Sequence, residues 1–162
     1  MAQQTEATGR KTTFAAPSDL EIQLTRVFDA SPERVFRALT EAEAIKQWWG
    51  PRYLTNTVEK MEARPGGVWR IIQRAPDGAV HGFHGVYHDS VAPERIVRTF
   101  EYEGAPGSVA METITLEAVD GGTKVITQSL FQSKADRDGM IGGGAERGVR
   151  ESHERLDELL AR

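Results

Sequence analysis

The chain has 162 residues, 39% of them hydrophobic and 27% charged, the profile of an ordinary soluble globular protein with one core and room for a modest pocket. A formal net charge of only −4, with no basic block, gives nucleic acid and anionic membranes no electrostatic footprint. The absence of cysteine excludes disulfides, thiolate metal sites and a cysteine nucleophile, and makes a reducing, cytoplasmic setting the expectation.

The first residues, MAQQTEATGRKTTFAAPSD, are polar and carry no hydrophobic signal core, so residues 1–18 are expected to be a flexible leader and 19–162 a single domain. From Leu20 the stretch EIQLTRVF alternates apolar and polar residues, a half-buried strand. Ser31 then reads as the N-cap of a helix with Pro32 in its first position, and Val35, Phe36 and Leu39 form its apolar stripe. Thr40 is expected to cap a second short helix carrying Ile45 and Trp48, which Gly50-Pro51 ends. Six strand-like segments follow, at 54–62, 68–75, 81–91, 95–102, 110–119 and 122–131, and turn residues such as Pro76-Asp77-Gly78 and Asp120-Gly121-Gly122 separate most of them. Links this short favour an antiparallel meander. A helical period from about Ala135 to Ala161 closes the chain. No apolar run approaches membrane-spanning length.

The order strand, two short helices, six strands, long helix predicts an α+β fold: a curved antiparallel sheet covered on one face by the last helix. The helix face that should meet the sheet is small in its first half, at Ala145, Gly148 and Ser152. Small residues there leave space between helix and sheet, and with Met140 and Ile141 they would form one wall of a cavity.

Three tempting motifs carry no site. The glycines from Gly139 to Gly148 approach a dinucleotide fingerprint, but that fingerprint needs a parallel strand after its helix, and none follows. His81, His84 and His88 lie in one strand, yet His84 and His88 are separated by roughly 13 Å and His81 points to the other face. They are surface or strand-packing residues, and no metal is expected. His153 is expected on the solvent face of the last helix. No nucleophile elbow or triad spacing is present, so no catalytic residue is assigned and no cofactor is expected.

Strand parity is more informative. If 95–102, 110–119 and 122–131 pair in succession, one face carries Ile96, Arg98, Phe100, Tyr102, Glu112, Ile114, Leu116, Val125, Thr127, Ser129 and Phe131. This more apolar face is assigned inward, where Arg98, Glu112, Thr127 and Ser129 form a polar group between Phe100 and Phe131. By the same parity Trp69 with Ile71, and Phe83 with Tyr87, line the remaining wall. Of the adjacent Trp48 and Trp49, one packs inward and the other sits near the cavity mouth. An apolar wall with a few converging polar groups is the form of a small-molecule site, and a carboxylate, phenol or carbonyl would suit Arg98.

The run Asp29-Ala30-Ser31-Pro32-Glu33-Arg34-Val35-Phe36, followed by Gln47-Trp48-Trp49-Gly50-Pro51, resembles the opening of the activator of heat-shock protein 90 ATPase homologue family. Arg64-Pro65-Gly66-Gly67, Gly85-Val86-Tyr87, Pro93 through Val97 and Gly148 through Leu160 extend the resemblance over about residues 13–161. That family belongs to the START-like, birch-pollen-allergen-like superfamily. The resemblance implies a helix-grip fold, a seven-stranded antiparallel sheet wrapped around a long C-terminal helix over a hydrophobic cavity. Superfamily members resembling this chain include lipid carriers, polyketide cyclases, aromatases and a co-chaperone domain, so the resemblance leaves function open. The expected partner is a small apolar or aromatic ligand. A cyclase-like enzyme using Glu112 or a tyrosine for proton transfer, a homodimer and a chaperone partner stay as alternatives. The polar leader stands where the eukaryotic co-chaperone has a further domain, which weighs against the last.

Overall fold

The computed structural model describes residues 11–162. One antiparallel sheet contains eight strands: β1 (Thr13–Ala15), β2 (Glu21–Phe28), β3 (Thr55–Met61), β4 (Val68–Arg74), β5 (Val80–Val91), β6 (Arg95–Tyr102), β7 (Val109–Val119) and β8 (Gly122–Leu130). Their order across the sheet is β1-β2-β8-β7-β6-β5-β4-β3. Strands β3 to β8 form the meander that their turns dictate, and β2 returns to pair with β8. Irregularities between Val58 and Lys60 on β3, and between Tyr87 and Asp89 on β5, bend the sheet.

Four helices are present among the described residues: α1 (Pro32–Thr40), α2 (Ala42–Trp48), α3 (Lys134–Gly142) and α4 (Ala145–Leu160). Ser31 caps α1, its hydroxyl accepting from the Arg34 amide, with Pro32 in the first turn. The fold is the α+β helix-grip arrangement, with four corrections. There are eight strands rather than seven, because Thr13–Ala15 pairs with β2 inside the expected leader. Residues 1–10 of that leader lie outside the described residues. Thr40 does not cap α2: its hydroxyl donates to the Phe36 carbonyl one turn back, and the cap position falls on Glu41 without a side-chain bond. The expected single C-terminal helix is two. Gly144 takes φ +85°, the left-handed region that glycine enters without a Cβ clash, and a new helix begins after it. This break also leaves Ile141 on the exposed side of α3, not on the sheet.

The core occupies one end of the sheet. Leu156 and Leu160 of α4 pack there with Val35 and Phe36 of α1, Ile45 and Trp48 of α2, and Phe28, Trp69, Ile71, Tyr87, Ile96, Ile114, Leu116 and Val125 of the sheet. Each fully buried side chain of this size contributes about 1.5–3 kcal/mol. Hydrogen bonds pin this end further: the Thr123 hydroxyl donates to the Ala30 carbonyl at 2.7 Å, and the Trp48 indole donates to the Ala38 carbonyl at 2.8 Å. Toward the start of α4 the helix face shrinks to Ala145, Gly148 and Ser152, and contact with the sheet opens into space.

His153 is not on a solvent face. It is part-buried, its Nδ1 lies 2.8 Å from the Thr12 hydroxyl, and its ring meets Phe28 edge-on with centroids 5.4 Å apart. Burial, with the nearby Arg26 and Arg150 charges, pushes its pKa down to about 3, so it is neutral in the fold. Arg26, on the same inward face, pairs with Asp157 and donates to Thr12. Together these contacts fasten the strand that opens the described chain to α4.

Candidate functional site

The inner chamber lies between the first half of α4 and the sheet, and measures about 230 Å³. An outer chamber of about 660 Å³ lies beside it, beneath α3. The two adjoin, sharing Pro51, Gln73, Phe83, Phe100, Ala110, Phe131, Met140 and Ala145 as walls.

The register that positions the polar group is explicit. Ile22, Ser129, Glu112, Arg98 and Tyr87 stand opposite one another across β2, β8, β7, β6 and β5. Arg98 is 7% exposed, and its Nε donates to Glu112 Oε1 at 2.8 Å. Its guanidinium carbon lies 4.2 Å from the Trp69 ring centroid, a cation–π contact on a buried indole. One terminal nitrogen also donates to the Tyr87 hydroxyl at 3.4 Å, and that hydroxyl donates to Met61 Sδ at 2.9 Å. Burial alone would lower the Arg98 pKa, but Glu112 and Tyr87 outweigh it and hold the group charged. Burial pushes the Tyr87 hydroxyl pKa up, keeping it neutral. Arg98 and Glu112 are the two formally charged residues lining the inner chamber among the described residues, and their charges cancel.

Aromatic side chains flank this polar group. Trp49 meets Phe83 edge-on at 4.9 Å between centroids, and Phe83 and Phe100 lie 5.7 Å apart. The turn that carries Trp49 is fixed to α4. The Gly50 amide donates to the Ser152 hydroxyl at 2.7 Å, and Arg155 donates to the carbonyls of Gln47, Trp49, Gly50 and Pro51. A guanidinium against the last carbonyls of α2 satisfies acceptors that the helix leaves open. The turn is thus both a wall of the chamber and a tether for the gripping helix.

Of the side chains expected at the cavity, Trp49, Phe83, Arg98, Phe100, Glu112, Ser129, Phe131, Met140, Ala145, Gly148 and Ser152 line the inner chamber. Trp48, Trp69, Ile71, Tyr87 and Ile114 sit one layer back in the core, with Trp69 and Tyr87 supporting Arg98 from beneath. Thr127 belongs to the next row, beside Ile114 and Leu24, and is not on the chamber wall. Ile141 faces away. The sequence reading missed Phe14, Ile22, Leu24, Gln73, Ala110 and Val149. Parity from Trp69 and Ile71 pointed to Gln73, but a glutamine near a strand end reads as solvent-facing.

The histidines divide by face. His81 Nδ1 lies 2.8 Å from the Tyr102 hydroxyl, and both residues line the outer chamber. His84 lies on the outer sheet face, bonded to Glu103, which also pairs with Arg70. Those partners, Arg70 first and then His84, hold the Glu103 pKa down to about 2. No cluster of three or more histidine or acidic side chains placed to hold a metal occurs among the described residues. No described helix is long and apolar enough to cross a membrane.

A family model described as "Activator of Hsp90 ATPase homolog 1-like protein" matches residues 29–161. A crystal structure of a Rhodobacter sphaeroides protein is similar at TM-score 0.88 and 24% identity, over 93% of this chain and 98% of that one. A solution structure from Arthrobacter aurescens reaches TM-score 0.85 at 26% identity, over 92% and 91% of the two chains. A Chromobacterium violaceum crystal structure reaches 0.77 at 29%, over 88% and 98%. No curated protein matches the chain.

Proposed function

Given that this chain belongs to the activator of Hsp90 ATPase homolog 1-like family, whose START-like fold serves many functions, we propose that it binds a small, largely apolar organic molecule between the sheet and α4. The observation that carries this reading is the Arg98–Glu112 pair, held at 2.8 Å on a largely aromatic and aliphatic chamber wall. A buried ion pair contributes little net stability compared with apolar residues of similar volume. At the wall of the chamber it offers donors and acceptors to an occupant, while Trp49, Phe83 and Phe100 supply the apolar contact. An inner chamber of about 230 Å³ suits a molecule of one or two rings.

A thermal-shift screen of aromatic and polyketide-like compounds tests this. Occupancy at a hundred times the dissociation constant raises stability by about 2.7 kcal/mol, a readily visible rise in Tm. Arg98→Met should weaken the best hit. A screen in which no compound stabilises the protein, or a hit indifferent to Arg98, would sink the assignment.

A further inference from the structure

The cavity has a second polar end. On β4 the inward positions run Trp69, Ile71, Gln73. Gln73 is only 4% exposed, borders both chambers, and its carboxamide makes no hydrogen bond to any described residue. Its polar atoms open onto the cavity, where an occupant can complete them. The amide is also closely housed: a Cβ on Gly50 would stand 2.0 Å from its Nε2, so the glycine of the Trp-Trp-Gly-Pro turn gives it room. Beside it in the register, Asn56 keeps a buried Oδ1 without a partner. Of the two, Gln73 borders the cavity, while Asn56 lines neither chamber and donates to the Trp49 carbonyl.

The separation of the two ends follows from the strand. Arg98 lies over Trp69, and Trp69 and Gln73 are four residues apart on one strand, roughly 13 Å. At the first end the Arg98 charge is already matched by Glu112, so an incoming carboxylate would sit beside Glu112 with no free cation to receive it.

Resting on the cavity reading above, the geometry points to a definite ligand class. We infer that the cavity takes an uncharged, elongated aromatic molecule with a hydrogen-bonding group at each end. A phenol or carbonyl meets Arg98, Glu112 and Ser129, and a hydroxyl or carbonyl at the far end of the molecule meets the Gln73 amide. The amide both donates and accepts, so it satisfies a hydroxyl as readily as a carbonyl.

Four probes separate the possibilities: trans-stilbene, its para-monophenol, its para,para′-diphenol, and the analogue with one phenol replaced by a carboxylate. Binding is followed by energy transfer from tryptophan to the bound stilbene. In the wild-type protein the diphenol should bind about tenfold more tightly than the monophenol, and the carboxylate at least tenfold more weakly than the diphenol. In Gln73→Leu the diphenol's advantage over the monophenol should vanish while the monophenol still binds. Gln73→Met, closer in shape, replaces it if the leucine variant does not fold. A carboxylate that matches the diphenol, or a diphenol advantage that survives loss of the amide, overturns the inference and leaves the cavity reading standing. Failure of all four probes, the parent hydrocarbon included, counts against the cavity reading itself.

Discussion

Replacing Arg98 by methionine removes one partner of a largely buried pair and leaves the other in place. Glu112 is 14% exposed and sits at an apolar wall, so its carboxylate would lose its 2.8 Å guanidinium partner. Breaking a buried pair on one side costs about 3–5 kcal/mol, because a charge is left without compensation. The lost contact with Trp69, at 4.2 Å, adds about 1–2 kcal/mol. Arg98→Met should therefore destabilise the protein by about 4–7 kcal/mol, and the double variant Arg98→Met with Glu112→Leu should recover most of it. Urea denaturation followed by circular dichroism, run as a double-mutant cycle, supplies the numbers. A single-variant cost under about 1 kcal/mol, or two costs that simply add, would show that the pair is not a coupled buried unit.

Three further outcomes follow from the same structure. His153 is neutral in the fold with a pKa of about 3, against about 6.5 when unfolded. Below pH 6.5 the unfolded chain takes up a proton that the folded one refuses. His153 therefore contributes a loss of stability as pH falls from 6.5 toward 3, at up to about 1.4 kcal/mol per pH unit; urea midpoints at pH 7 and 5 should converge in His153→Gln relative to wild type. Gly144→Ala places a Cβ at φ +85° and should cost about 1–2 kcal/mol, measured by the same unfolding curve, whereas Gly139→Ala, where a Cβ meets nothing within 4 Å, should stabilise or be neutral. Hydrogen exchange by mass spectrometry should find the amides of 138–148 faster than those of 150–160, because α3 buries no residue while Leu156 and Leu160 anchor α4. A bound aromatic ligand should slow the first set, and equal protection of both would contradict the assignment.

The strands were legible because turn residues bracket them and alternation sets their faces. Once three strands were paired in succession, Arg98 and Glu112 fell on one face within reach of each other, and the structure sets them directly opposite. Other features were hidden for physical reasons. Thr13–Ala15 is three residues long, too short for a period to show, and its pairing depends on β2. Without that strand nothing covered His153, which lies one step around the helix from the buried Ser152 and so read as solvent-facing. The break at Gly143-Gly144 could not be read from composition alone, since glycine is tolerated within a helix at a cost and also ends one. Arg155 carries no motif; its role appears only when the turn after α2 and the middle of α4 meet in space.

The central claim is that the chamber bounded by Trp49, Phe83 and Arg98 receives the ligand. The most direct measurement is a proton–nitrogen NMR titration of the three tryptophan indoles with the para-monophenol of stilbene. The Trp49 indole, on the chamber wall, should shift strongly, and that of Trp69, beneath Arg98, should shift in step with it. The Trp48 indole, bonded to the Ala38 carbonyl outside the chamber, should stay nearly still. Shifts confined to surface amides around the exposed Val119, with all three indoles unmoved, would contradict the account.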